Sequence, residues 1–355
     1  MNSHEEAIRM RKRRQQNKIN FVKTICFLVI FCVLFSVVNT IMKRKTLTSS
    51  WNMSIKIAGL ANEPKNSMDV MYFGSSHMYC TINPLELFHE TGITSYVYAM
   101  QNQPLWSSYY YMKEAFKHQS PKVVVLDVYP VAFYNGKDYA DESVNFPTTD
   151  EIPFSKNKID LVEASVPKKE RANHYIEFLK YHSRWKELTN YDFNLNYRKE
   201  TDYLKGYVLL RDTNPQAFDE NVYKLTGTTQ ISEKNLLYLN KIVELSKEKN
   251  FKLVFMVTPY QMLEDQKKVF NEIEVYAKKN GISFVDYNPQ IQKLGLDLNA
   301  DYYDKGHVNY KGAAKITDDF GQFLINKFRL ADKRNDKTYQ NWNWDYTAYQ
   351  KNIKK

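Results

Sequence analysis

Two distant segments of this 355-residue chain carry residue types that could together move an acyl group. The first is Phe73-Gly74-Ser75-Ser76-His77, which closes the run Met68-Asp69-Val70-Met71-Tyr72-Phe73. A short β-branched and aromatic run ending at a glycine reads as a buried strand, and the glycine permits a sharp turn. Ser76 would then present its hydroxyl at the mouth of a sheet, beside N–H groups that a helix start leaves without acceptors. That is where a nucleophile with its own oxyanion site would sit; the plainer role is a helix N-cap. The second segment is Asp304-Lys305-Gly306-His307-Val308-Asn309. A serine hydroxyl needs a neighbouring base to take its proton, and His307 is of the type that titrates near neutral pH. Asp304, three residues earlier, could hold the far side of the imidazole and stabilise its charged form. Without the serine turn, the pair would read as capping for the last helix.

The elements that must position these groups alternate. A strand over residues 92–99 leads to Met100-Gln101-Asn102-Gln103-Pro104, followed by a helix over 106–118. The run Val123-Val124-Val125-Leu126-Asp127 is apolar without alternation, as in a parallel strand covered on both faces. The pattern lapses over about 131–229, an insertion with one expected helix at 170–188, whose Tyr175, Phe178, Leu179, His182 and Trp185 read as the core of a layer over the sheet. A segment of this size beside a site commonly shapes its groove. Alternation returns with a helix from Ser232, a strand over 251–257, a helix over 264–279, a strand over 282–287 and a last helix over 310–328 capped by Asn309. The expected fold is an α/β three-layer sandwich with a mainly parallel sheet.

A serine turn near the start and an Asp-x-x-His near the end of such a chain resemble the SGNH (GDSL-like) hydrolases. Gly74-Ser75-Ser76 stands where that family has Gly-Asp-Ser, so the resemblance implies Ser76 as nucleophile, His307 as base and Asp304 as its partner, on a flavodoxin-like fold. It covers about residues 67–329 and is greatest for the membrane-anchored cell-envelope branch, which includes the DltD-type proteins of teichoic-acid D-alanylation. In the family, a glycine on the second loop and an asparagine on the third complete the oxyanion hole. Here the second loop reads Gln101-Asn102-Gln103 and the third strand ends Asp127-Val128-Tyr129. The hole is therefore expected from the Ser76 N–H with a side-chain amide of Asn102 or Gln103.

The net charge of +10 is concentrated at one end. Residues 1–45 hold ten Lys/Arg against Glu5 and Glu6, a surplus of eight that leaves +2 for the rest. A near-neutral body offers no basic nucleic-acid surface, which argues against a DNA-binding regulator. Residues 24–42 are an uncharged run that, at ~1.5 Å per residue and with residues 19–22 before it, matches a ~30 Å hydrocarbon core. Seven of the ten basic residues precede the run, which keeps the N-terminus cytoplasmic. The run is long for a signal peptide and lacks a small-x-small cleavage site. The expected organisation is a basic cytoplasmic tail (1–18), a transmembrane anchor (19–42), a stalk (43–66), an extracellular domain (67–329) and a polar tail (330–355). Cys26 and Cys32 fall in the anchor and Cys80 stands alone beyond it, so no disulfide can form within the domain. No Cys/His cluster has metal spacing and no glycine-rich loop would cradle a phosphate; no cofactor is expected.

These features point to a serine esterase or acyltransferase at the cell membrane that modifies an envelope glycan or teichoic acid. The resemblance implies a membrane-bound acyltransferase as partner. The competing expectation is a non-catalytic binding or scaffold protein that keeps the fold and has lost the oxyanion hole.

Overall fold

The computed structural model describes residues 3–354. These form two units: the N-terminal helix with Ile176–Leu195, and Lys45–Tyr175 with Asn196–Lys355.

The larger unit is built on five strands, β1 (Val70–Phe73), β2 (Ser95–Val97), β3 (Val123–Asp127), β4 (Lys252–Val257) and β5 (Ser283–Asp286). All neighbours are parallel and the order is β2-β1-β3-β4-β5. That order is the flavodoxin-like one, in which consecutive connections switch faces of the sheet between β1 and β3. Every residue of β1 and β3 is buried although successive side chains point to opposite faces. The sheet is therefore covered on both sides, as the unbroken Val123–Asp127 run implies. Helices Ser76–Thr81, Pro84–Thr91 and Tyr310–Phe328 pack together, and Leu105–Ala115 packs with Lys156–Ser165 and Glu233–Lys249.

Local chemistry fixes several of these boundaries. Asn309 Oδ1 accepts from Lys311 N and Gly312 N, capping Tyr310–Phe328 at its expected start. Asn250 closes Glu233–Lys249 in the left-handed conformation (φ 57°) that asparagine tolerates.

Three stretches differ from expectation. Within the supposed stalk, Met53–Gly59 is a buried helix; Lys56 Nζ donates to Tyr207 O at 2.6 Å and faces Asp202 at 3.3 Å. Burial lowers the Lys56 pKa, against the pull of Asp202. The polar tail also folds: Gln340–Ile353 is a helix whose Trp342, Tyr346 and Tyr349 share one face. Trp342 stacks on Phe88 at 5.0 Å, Tyr346 on His89 at 4.1 Å, and Asp345 pairs with Lys205 at 2.9 Å. Mean composition hid that stripe because the other face is amide and charge.

The third difference is the helix expected over 170–188, which is broken into Ala172–Tyr175, Glu177–Tyr181 and a 3-10 turn at His182–Lys186. Its second half is not the core of a layer over the sheet but part of the smaller unit. There Ser3–Met42 is one continuous helix, long and apolar enough to cross a membrane, and Ile176–Leu195 folds against its last turns. Phe178 meets Phe35 edge to face at 5.9 Å. Asn39 Nδ2 donates to Glu177 Oε2 at 2.6 Å, and Asn39 Oδ1 accepts from Phe178 N at 2.7 Å. Arg184 donates to Met42 O and pairs with Asp192 at 2.9 Å.

Candidate active site

The five strands deliver their carboxyl ends to one rim, and the chemistry-bearing residues lie in the loops that leave it. β1 is followed by Gly74, whose φ of 145° excludes a side chain on steric grounds. A Cβ there would also lie 2.3 Å from the Cβ of Asp127, which ends the adjacent strand β3. Asp127 then organises the turn: its Oδ2 accepts from Ser75 N at 3.1 Å and Ser75 Oγ at 2.6 Å, and its Oδ1 accepts from Tyr129 N at 2.9 Å. Burial pushes the Asp127 carboxyl up to about 6, although these three hydrogen bonds oppose the rise. Ser75 Oγ accepts in turn from His77 N, so Ser75 takes the N-cap role. Ser76 becomes the first residue of the helix, with its hydroxyl released from capping.

That hydroxyl reaches the loop after β5. His307 Nε2 lies 2.8 Å from Ser76 Oγ, and His307 Nδ1 lies 2.9 Å and 3.1 Å from the two carboxylate oxygens of Asp304. A carboxylate only accepts, so Nδ1 carries the ring hydrogen and Nε2 is left to take the proton of Ser76. Burial pushes the Asp304 carboxyl up, but the hydrogen bonds from His307 and from Gly306 N (2.7 Å) outweigh it and leave its pKa below the ordinary value. The loop is held on both flanks. An antiparallel bridge joins Tyr302 and Val308, Tyr303 N donates to His307 O, and the side chain of the capping Asn309 donates to Ala300 O at 2.8 Å. Ser76 is almost buried, whereas the Asp304 side chain is 43% exposed, so the line of three opens to solvent at its acid end.

The structure thus brings Ser76, His307 and Asp304 together from opposite ends of the chain. It treats the two remaining site candidates differently. Asn102 adopts the left-handed conformation (φ 47°) that a glycine would take most easily, and its carbonyl accepts from Tyr134 Oη. Gln103 is fully buried and its Nε2 donates to Ser108 Oγ at the start of Leu105–Ala115. One of the two amide hydrogens of Gln103 is therefore committed to that helix start.

Five further residues complete the surroundings, and in the sequence only proximity to Ser76 or to a strand end marks them. His77 is buried, stacked on Tyr129 at 3.8 Å, with Nδ1 3.2 Å from Thr258 Oγ1 and its ring 5.4 Å from that of His307. Burial, then the neighbouring His307, hold the His77 pKa well below the ordinary histidine value, so it stays neutral. Tyr79, one turn past Ser76, is buried with its ring edge-on to Trp51. Its hydroxyl is close enough to Ser76 for the two to influence one another, yet it makes no hydrogen bond of acceptable geometry. Half-buried Tyr129 and Phe133, 5.6 Å apart, continue the aromatic surface away from His77. Cys80 is fully buried and burial pushes its thiol well up, which leaves it an inert core residue.

No protein-family model and no curated protein matches this sequence. Among solved structures, the chain is similar to one from Desulfitobacterium hafniense DCB-2 described as a lipolytic protein of the G-D-S-L family, at 12% identity and a TM-score of 0.37 over 72% of this chain and 98% of that one. It is similar to one from Bacteroides fragilis NCTC 9343 described as an acylhydrolase, at 14% identity and a TM-score of 0.36 over 76% and 94%. It also resembles a gut microbial diltiazem-metabolizing enzyme, at 14% identity and a TM-score of 0.26 over 74% of this chain and 49% of that one.

Proposed function

We propose that this protein is a membrane-anchored serine esterase or acyltransferase whose nucleophile is Ser76, with His307 as general base and Asp304 as the residue that orients and balances it. The observation that carries the reading is the unbroken line from Ser76 Oγ through both ring nitrogens of His307 to the Asp304 carboxylate, every step within hydrogen-bonding distance. In the reaction, Ser76 Oγ attacks the carbonyl carbon of an ester and its proton passes to His307 Nε2. The tetrahedral oxyanion is met by the Ser76 N–H, which has no acceptor within its own helix, with Asn102 or Tyr79 as the second donor. Collapse expels the alcohol, which leaves with the proton from His307, and an acyl-serine remains. Water or a sugar hydroxyl then attacks this ester and gives its proton to His307 Nε2; collapse breaks the Ser76 Oγ–acyl bond, His307 returns the proton to Ser76 Oγ, and the acid or the new ester is released.

The substrate proposed is an envelope polysaccharide or teichoic acid outside the membrane, with a membrane-bound acyltransferase as the acyl source. The tether favours a membrane-attached acceptor, and a site open at Asp304 suits a large polymer. The Tyr129 and Phe133 rings beside His77 offer faces of the kind that pack on sugar rings. A second reading, a catalytically inactive scaffold of an envelope acylation system, is favoured by the missing glycine and asparagine of the oxyanion hole and by the engagement of Gln103 with Ser108.

One experiment separates them. A fluorophosphonate probe is incubated with the full chain and with Ser76→Ala and His307→Ala proteins, and the labelled residue is found by mass spectrometry. The enzyme reading expects a phosphonyl group on Ser76 and at least a ~10³-fold slower reaction in either variant. Wild-type protein that stays unlabelled leaves the scaffold.

A further inference from the structure

The excursion Ile176–Leu195 is difficult to account for as soluble surface. It exposes Ile176, Leu179, Trp185, Tyr191, Phe193 and Leu195, with Trp185 at 65%, within twenty residues. An apolar and aromatic concentration of this kind on a small segment marks an interaction surface. Its location on the N-terminal helix is specific. The contacts fall at Phe35, Asn39 and Met42, spaced four and three residues, so they lie along one face of the helix. Seven residues of helix span ~10 Å of axis.

Asn39 is the revealing residue. It belongs to an uncharged run read as hydrocarbon-spanning, where a primary amide without partners would be costly. Here both ends of the amide are satisfied by the excursion, the Nδ2 by the Glu177 carboxylate and the Oδ1 by the Phe178 N–H. A carboxylate beside Asn39, and an Arg184 guanidinium on Met42 O, place charged groups against the last two turns of the helix. Those turns are therefore suited to the headgroup zone and not to the hydrocarbon. Moving the span back to about residues 19–38 still gives twenty residues, or ~30 Å, and puts Lys23 near the opposite surface, within reach of water by extending its side chain.

We propose that Ile176–Leu195 is a collar that rests in the headgroup region of the bilayer around the exit point of the anchor, with the Trp185, Tyr191 and Phe193 side chains immersed at the level where aromatic residues concentrate. The occupant of the apolar surface is lipid. Lys186, 5.0 Å over the Trp185 ring, and Lys180, 4.9 Å over the Tyr181 ring, supply cations at the height of anionic headgroups. The collar fixes where the anchor stops and keeps Asn39 dry of hydrocarbon. This inference rests on the anchor proposed above.

The test uses the full chain reconstituted in vesicles of phosphatidylcholine and phosphatidylglycerol. Trp185 emission is taken as the difference between wild type and Trp185→Phe, with circular dichroism confirming that the variant is folded. Nitroxide-labelled lipids report depth. The collar requires blue-shifted Trp185 emission, quenched at least twofold by a headgroup nitroxide and less by one at the chain end. Phe31→Trp, in the Trp185→Phe background, reports the anchor and should be quenched most by the chain-end label. If Phe31→Trp is quenched and Trp185 is not, the collar is overturned while the anchor stands; red-shifted unquenched emission then means water, and blue-shifted unquenched emission means a covering protein or second copy. If neither is quenched, the anchor fails and the collar with it.

Discussion

Asp304→Asn is the most informative change at the candidate site, because the structure argues for a small effect where a large one would ordinarily be expected. In triads whose carboxylate is buried, the amide costs ~10⁴ in turnover, since it imposes the wrong histidine tautomer. Here Gly306 N donates to Oδ1 at 2.7 Å, so the amide of an asparagine is held with its oxygen at the Oδ1 position. That oxygen also lies 2.9 Å from His307 Nδ1 and still accepts its hydrogen. The productive tautomer survives, and what is lost is the negative charge beside the imidazolium. Two unit charges ~4 Å apart are worth ~1 kcal/mol in water and ~4 kcal/mol near a protein surface. With the Asp304 side chain 43% exposed, the lower half of that range, ~1–2.5 kcal/mol, applies, which corresponds to a ~5- to 70-fold loss. The assay is the rate of acyl-serine formation with an activated ester such as p-nitrophenyl acetate, read as kcat/KM at fixed pH. A loss below twofold would show that Asp304 does not support His307. A loss as deep as that of Ser76→Ala would show that the tautomer flips, and the argument from Gly306 would be refuted.

Further outcomes follow from the turn that carries the nucleophile. Gly74→Ala combines a forbidden φ with a Cβ 2.3 Å from Asp127, so it should cost ~2–4 kcal/mol by urea unfolding and lower labelling of Ser76. The Asp127 carboxyl has a folded pKa of about 6, above its ordinary 3.8. Between these values the folded state holds more protons than the unfolded one, so this group makes stability fall as pH rises from ~4 to ~6, by roughly 3 kcal/mol at most. Denaturation midpoints across that window should show the slope in wild type and lack it in Asp127→Asn, whose overall stability is lower because the Tyr129 N–H loses an acceptor. Tyr79→Phe removes a buried hydroxyl that has no partner; stability should hold or rise by ~1 kcal/mol, while kcat falls ~10- to 100-fold at constant KM if that hydroxyl meets the oxyanion. Unchanged kcat would remove Tyr79 from the hole.

Much of the sheet was legible because its strands are short apolar runs between helices with clear apolar stripes. Glu264–Lys279 and Tyr310–Phe328 appear with their expected limits, the latter because Asn309 is an unambiguous cap. The meeting of Ser76 with His307 and Asp304 was legible in order and residue type alone. Distance was not: it depends on β1 and β5 delivering their ends to one rim, which pairing and not local pattern decides. The Ser75–Asp127 pair went unseen because it joins the ends of two strands. Residues 170–188 misled for a different reason. Phe178 and Trp185 do recur at helical spacing, but the helix breaks near Ile176 and the segment beyond it packs on the N-terminal helix, so Phe178 meets Phe35 there while Trp185 faces outward. The helix at Gln340–Ile353 was obscured by asparagine, glutamine and lysine between its aromatic positions.

Thr317, in the middle of Tyr310–Phe328, donates through its hydroxyl to Thr81 O at 3.3 Å and accepts from Asn83 N at 3.1 Å. A single buried side chain thereby stitches the helix behind His307 to both the end of the nucleophile helix and the start of the next. Neither half of the reactive pair can drift without breaking that stitch, which lies inside the main hydrophobic mass. Titrated with denaturant, the molecule should therefore lose its reactive serine in the same transition that melts the sheet, with no inactive yet folded state before it.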